Sequence, residues 1–266
     1  MSFNIFRQSI KDKARGAIIA TLIISGFVFF MGSMFPEAKK MSGAYDEMLQ
    51  NPAFKAMIGD SITSLSTFEG FMSAELYSYM GLIIGCYVAF LTASFIAGEI
   101  ENRTADLLLS LPVSRAGIVI SRYMALIPVV TLFVLGLVGS AVISAAYINV
   151  PVDIVWFAYA GLSFIILGLA TGAISMLVSS FLSDSKQSAI ISIGIFVLMY
   201  FTETIGSMSS SLDTISVLSI FHYVDTPAML ISHTSNLADL GVLVAMTILI
   251  LALAVLNFQR RDINFA

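Results

Sequence analysis

Residues 123–152 read YMALIPVVTLFVLGLVGSAVISAAYINVPV, thirty consecutive positions without Asp, Glu, Lys, Arg or His. After the lone Asp153 comes a second charge-free run, 154–183, IVWFAYAGLSFIILGLATGAISMLVSSFLS. A hydrocarbon layer about 30 Å thick is crossed by about 20 residues of helix, so each run is long enough. Neither alternates apolar and polar residues as a barrel strand does, and only helices and closed barrels satisfy their backbone inside a bilayer. Both runs therefore predict membrane-spanning helices. Outward from them, further charge-free runs cover 16–36, 76–98, 187–202 and 240–259. The expected fold is an all-α integral membrane protein, a single transmembrane domain over 1–266, with spans near 17–35, 76–98, 124–147, 155–181, 189–206 and 240–258.

Composition agrees. Of 266 residues, 58% are hydrophobic and 11% charged, against about 25% charged in a soluble domain. Mean hydropathy is +0.94. Such a chain cannot clothe a globular surface with polar groups, and it is too rich in large apolar residues for disorder. The one cysteine, Cys86, excludes an internal disulfide and reads as a packing residue.

The net charge of −4 matters less than where the charges fall. With the N-terminus inside, Arg7, Lys11, Lys13, Arg15, Arg103, Arg115, Arg122, Lys186, Arg260 and Arg261 are cytoplasmic, and only Lys39, Lys40 and Lys55 lie outside. This asymmetry predicts cytoplasmic N- and C-termini in the cell membrane. The first apolar run follows basic residues, as a signal peptide would. It is longer than the usual apolar region of about 7–15 residues and no small-x-small cleavage site follows, so it reads as an uncleaved span.

The connecting segments carry the detail. Phe3, Phe6, Ile10 and Ala14 fall at helical spacing, with Arg7, Lys11 and Arg15 on other faces. Residues 1–15 thus read as an amphipathic helix on the inner leaflet, in contact with membrane lipid. Segments 36–75 and 207–236 are expected outside, the latter holding a half-apolar stretch, 218–231. Residues 99–122, EIENRTADLLLSLPVSRAGIVISR, form the most informative inner loop. Pro112 stops a short amphipathic helix there, and Ser114 is a suitable N-cap for the next one. A second inner loop, 179–188, carries Asp184 and Lys186. Gly81-x-x-x-Gly85 and Gly168-x-x-x-Gly172 allow close helix contact.

No G-x-x-x-x-G-K-[ST] or H-E-x-x-H occurs, so the sequence offers no catalytic residues, no P-loop and no metal site of its own. His222, Asp225 and His233 have no metal-specific spacing. Glu203 is the one acid placed within a predicted span, which makes it a candidate transport residue.

The loop resembles the first cytoplasmic loop of ABC-2 type transporter permeases. The matching residues are Gly98-Glu99, Glu101, Thr104, Leu107-Leu108-Leu109 and Pro112-Val113-Ser114-Arg115. Residues 179–189, LSIFHYVD at 218–225 and FQRRDI at 258–263 resemble later family segments in family order; Asn102-Arg103 departs from the family's usual glycine. The resemblance implies a half-transporter that pairs with a second copy or paralogue and with two separate ABC ATPase subunits, which bind ATP and Mg. Residues 1–15 would be the elbow helix. Residues 99–122 would hold the coupling helix, with Glu99, Glu101, Arg103, Thr104, Asp106, Leu107, Leu108, Pro112, Ser114 and Arg115 facing the ATPase. The cargo of an exporter with such uncharged spans is expected to be apolar or amphipathic. Two other readings stay open: an ion-gradient-driven secondary transporter coupled through Glu203, and a non-transporting membrane anchor. None of the three involves nucleic acid.

Overall fold

The structure, a computed structural model, describes residues 3–40, 67–101, 113–208 and 216–261. Its described elements are α1 (Phe3–Ser33), α2 (Phe68–Met72), a π-helical turn (Ser73–Tyr77), α3 (Ser78–Glu101), α4 (Arg115–Met124), α5 (Leu126–Tyr147), α6 (Ile154–Phe181), α7 (Ser185–Met208), a 3₁₀ turn (Ile220–Tyr223), α8 (Thr226–Leu230) and α9 (Leu237–Arg260). Among the described residues, six helical stretches are long and apolar enough to cross a membrane. Because the spans alternate in direction, α1 begins and α9 finishes at the same end of the bundle. This is called the near end, and the opposite one the far end.

α6 is the hub. Its most apolar window is 67% buried, as is that of the α2–α3 stretch, whereas those of α7 and α9 are 22% buried. The outer helices present Leu22, Ile23, Ile190, Leu198, Ile248 and Leu249 outward. Such a belt is stable only against lipid or another apolar surface. Small residues set how closely helices approach α6. A Cβ on Gly168 would sit 2.7 Å from Val130 Cγ1 and 3.2 Å from Ile84 Cγ2, and one on Gly172 would sit 2.8 Å from Leu126 Cδ1. Gly81 faces Leu167, and Gly85 faces Thr171 and Phe196. The two expected glycine pairs thus lie along one α3–α6 seam.

Three helix boundaries refine the sequence reading. α1 runs unbroken from Phe3, so the amphipathic stretch leads straight into the first span. Nothing crowds Gly16, and the flanking Lys, Ala and Arg are good helix formers. Its buried residues Ile5, Ser9, Ala17, Thr21, Ile24, Val28 and Gly32 follow one helical face. The second span starts at Phe68 rather than 76, capped by Thr67, whose hydroxyl accepts from Gly70 N at 3.2 Å. Phe68, Phe71, Met72, Leu76 and Tyr77 are buried there, while Glu75 faces out. In the third span, the helix breaks at Ala125 between α4 and α5. Pro128 has no amide to give the Met124 carbonyl, and in the turn before it Ala125 N donates to Arg122 O at 3.1 Å.

Ser114 caps α4 as the sequence suggested, accepting from Gly117 N at 3.1 Å. At the far end, the 3₁₀ turn and α8 fold across the bundle and bury Ile220, Phe221, Met229 and Leu230. Asp225 caps α8 through Ala228 N at 3.0 Å.

Candidate functional site

The near end is tied together by charge and hydrogen bonds. Arg122 sits in the wall between α3 and α4, its side chain 9% exposed. It donates to Glu99 Oε1 at 2.6 Å and to the carbonyl of Phe95. A guanidinium buried at the edge of an apolar layer is tolerable only with such partners. Lys13 on α1 reaches Ser94 Oγ at 2.6 Å and lies 5.7 Å over the Phe95 ring. Ser179 on α6 donates to Ala93 O and accepts from Ala97 N, at 3.1 and 3.0 Å, clasping α6 to α3.

The belt continues around the other helices. Arg115 donates to Arg261 O at 2.6 Å, joining α4 to the end of α9. Arg261 reaches Ser180 O, Leu182 O and Ser183 Oγ at 2.9, 2.8 and 2.6 Å, gripping the α6–α7 turn. Asn257 adds a bond to Ser180 Oγ at 2.8 Å. Two carboxylates sit at the start of α7, where the helix dipole favours anions. Asp184 accepts from Gln187 N at 2.9 Å, and Glu101 accepts from both Ser185 N and Ser185 Oγ.

The expected coupling residues therefore divide. Glu99, Glu101 and Arg115 take part in bonds within the chain, and Ser114 caps α4. Arg103, Thr104, Asp106, Leu107, Leu108 and Pro112 lie outside the described residues. In the second loop, Asp184 caps α7, and Lys186 is exposed. Sequence reasoning passed over Arg122 and Arg261 as ordinary inside charges. A usable signal was present: Glu99 is the first charge after one apolar run, and Arg122 the last before another.

At the far end, Glu203 on α7 faces the 3₁₀ turn. His222 Nδ1 lies 3.2 Å from Glu203 Oε2 and 3.1 Å from Ser216 Oγ. An ionised carboxylate only accepts, so against it Nδ1 carries the proton, with Ser216 sharing the same N–H. Both residues line a cleft of about 630 Å³ between α3, α6, α7 and the turn segment. His233 stacks instead on Trp156, with ring centres 5.4 Å apart. Among the described residues no three His, Cys, Asp or Glu side chains are grouped to share a metal ion.

A bundle whose described residues hold six helical stretches long and apolar enough to cross a membrane defines a multi-pass membrane protein. Residues 5–263 match the model of the ABC-2 family transporter proteins, nearly the whole chain, and the protein belongs to that family. Permeases of this family are the membrane component of an ABC transporter rather than its ATPase, and they associate with ABC ATPase subunits. Comparison with individual curated proteins finds no match.

Proposed function

We propose that this chain is the permease subunit of an ABC exporter in the cell membrane. With a second copy or paralogue it forms the pathway for an apolar or amphipathic cargo. Two ABC ATPase subunits, which hold ATP and Mg, dock at the near end, and both termini face the cytoplasm with them. The family match over residues 5–263 carries this reading. The near-end belt supports it, because a stroke delivered at 99–122 would pass through Arg122, Arg115 and Arg261 into α3, α4, α6, α7 and α9. Charges that stay exposed at that end, such as Glu101 and Lys186, suit a partner surface where register is set electrostatically.

The test is purification of the chain with its native neighbours, followed by transport in sealed vesicles. A co-purifying P-loop ATPase, with cargo movement that requires ATP, is expected. Movement driven by an ion gradient in ATP-free vesicles, and lost in Glu203→Gln, would establish the secondary-transporter reading instead. The Glu203 to His222 pair is the observation that favours that alternative.

A further inference from the structure

We propose that the groove between α1 and α5 at the near end seats an acyl chain of an anionic phospholipid, whose headgroup is held by Arg7 and Lys11. This needs the membrane setting of the chain and not the permease reading. The groove has a volume of about 610 Å³ and is lined by Phe6 on α1, Met124 on α4, and Ile127, Pro128, Leu132 and Leu135 on α5. Thr131 is the one hydroxyl side chain among its described lining residues. Inside a bilayer such a wall meets only an acyl chain or another apolar helix. Its length suits a chain. From Met124 to Leu135 the helix rises about 16 Å at about 1.5 Å per residue, close to half of a hydrocarbon layer about 30 Å thick.

Charge decides between the two occupants. Residues 3–16 of α1 hold Arg7, Lys11, Lys13 and Arg15 against a single acid, Asp12. Ile5 and Ser9 are buried in the bundle. Successive residues step about 100° around a helix. The half-buried Phe6 and Ile10 therefore come next, on the groove side, and the exposed Arg7 and Lys11 one step further round. Asp12 falls on the other flank of the buried face and accepts from Gln8 Nε2 at 2.8 Å. Lys13 is spent on Ser94. Arg7 and Lys11 have no hydrogen bond or ion pair among the described residues.

A second copy seated here about a twofold axis would bring the same cations of both chains together, and like charges oppose that contact. An anionic phospholipid brings the complement instead. Its chain lies on the apolar wall, and its phosphate meets the two cations that the bundle leaves uncommitted.

The experiment is native mass spectrometry of the full chain from neutral maltoside micelles, titrated with dioleoyl phosphatidylglycerol or dioleoyl phosphatidylcholine. The affinity of the first bound lipid is read. Phosphatidylglycerol is expected to bind about twentyfold tighter, about fivefold from each of the two cations. Arg7→Gln should remove one such factor, and Arg7→Gln with Lys11→Gln the whole preference. Leu132→Trp, which fills the groove and leaves the cations in place, should weaken both lipids. Arg260→Gln removes an exposed cation from α9 at the same end and should change neither. Equal affinity for the two lipids, a preference that survives in the monodisperse double variant, or an equal loss in Arg260→Gln would each overturn the proposal. A dimer that neither lipid alters and that Leu132→Trp disperses would assign the groove to a second copy and overturn it too. No ATPase takes part, so the permease reading stands or falls separately.

Discussion

The two ends of the bundle are held by different forces. At the near end, Arg122, Glu99, Lys13, Arg115, Arg261 and Ser179 link helices through directional bonds of 2.6–3.1 Å. At the far end, beside the bonds of His222 to Glu203 and Ser216, most of the packing is ring on ring: Phe35 on Phe68 at 5.6 Å, Tyr77 on Phe157 at 5.9 Å, and Trp156 on His233 at 5.4 Å. A hydrogen bond weakens steeply with misalignment, whereas aromatic pairs accept a range of offsets and tilts. The near end should therefore move as one piece, and the far end should repack. That division suits a molecule pushed at one end that opens and closes a cleft at the other.

The comparison breaks first at Arg122. Arg122→Met takes away the donor to Glu99 Oε1 and to the Phe95 carbonyl; breaking a buried pair costs about 3–5 kcal/mol, and with the Glu99 side chain 28% exposed the low end of that range applies. Unfolding in micelles should show a loss of that order, and a change within the noise would mean that the belt is ornamental. Gly168→Leu comes next. With only 2.7 Å between a Cβ and Val130, overpacking there should cost about 1–3 kcal/mol. Asp184→Ala removes an N-cap from α7 and should cost about 1 kcal/mol. The smallest effect belongs to the far end. Tyr77→Phe discards an unmatched hydroxyl, so stability should hold or rise by up to about 1 kcal/mol. A clear loss of stability would show that the hydroxyl has a structural partner.

The spans were legible because charge-free runs report burial in lipid directly, and the inner helices around 124–147 and 155–181 stand out by length alone. The helical start at Phe68 was not. Glu69 and Glu75 interrupt the charge-free run there, although Phe68, Phe71, Met72 and Leu76 form a buried face beneath them. The break at Ala125 was half-visible in Pro128, whose effect falls on the turn before it. Glu203 stood out as an acid in an apolar stretch, but its partner His222 lies beyond the segment that follows α7, and no local spacing links them. The belt was hidden for the same reason. Arg122 meets Glu99 across a loop, and Arg261 meets Ser180 across the last two spans, contacts that only the packing of α4 and α9 against the rest creates.

Site-specific cross-linking tests the central claim most directly. In a Cys86→Ser background, Glu101→Cys places a thiol at the near end and Leu218→Cys places one at the far end, where Leu218 is 72% exposed. A bifunctional thiol reagent is added to membranes holding the chain and its native neighbours. The expected result is capture of a P-loop ATPase from position 101 and not from 218, at a level that rises or falls with nucleotide. Capture of the ATPase from 218, or from both positions alike, would contradict docking at the charged end.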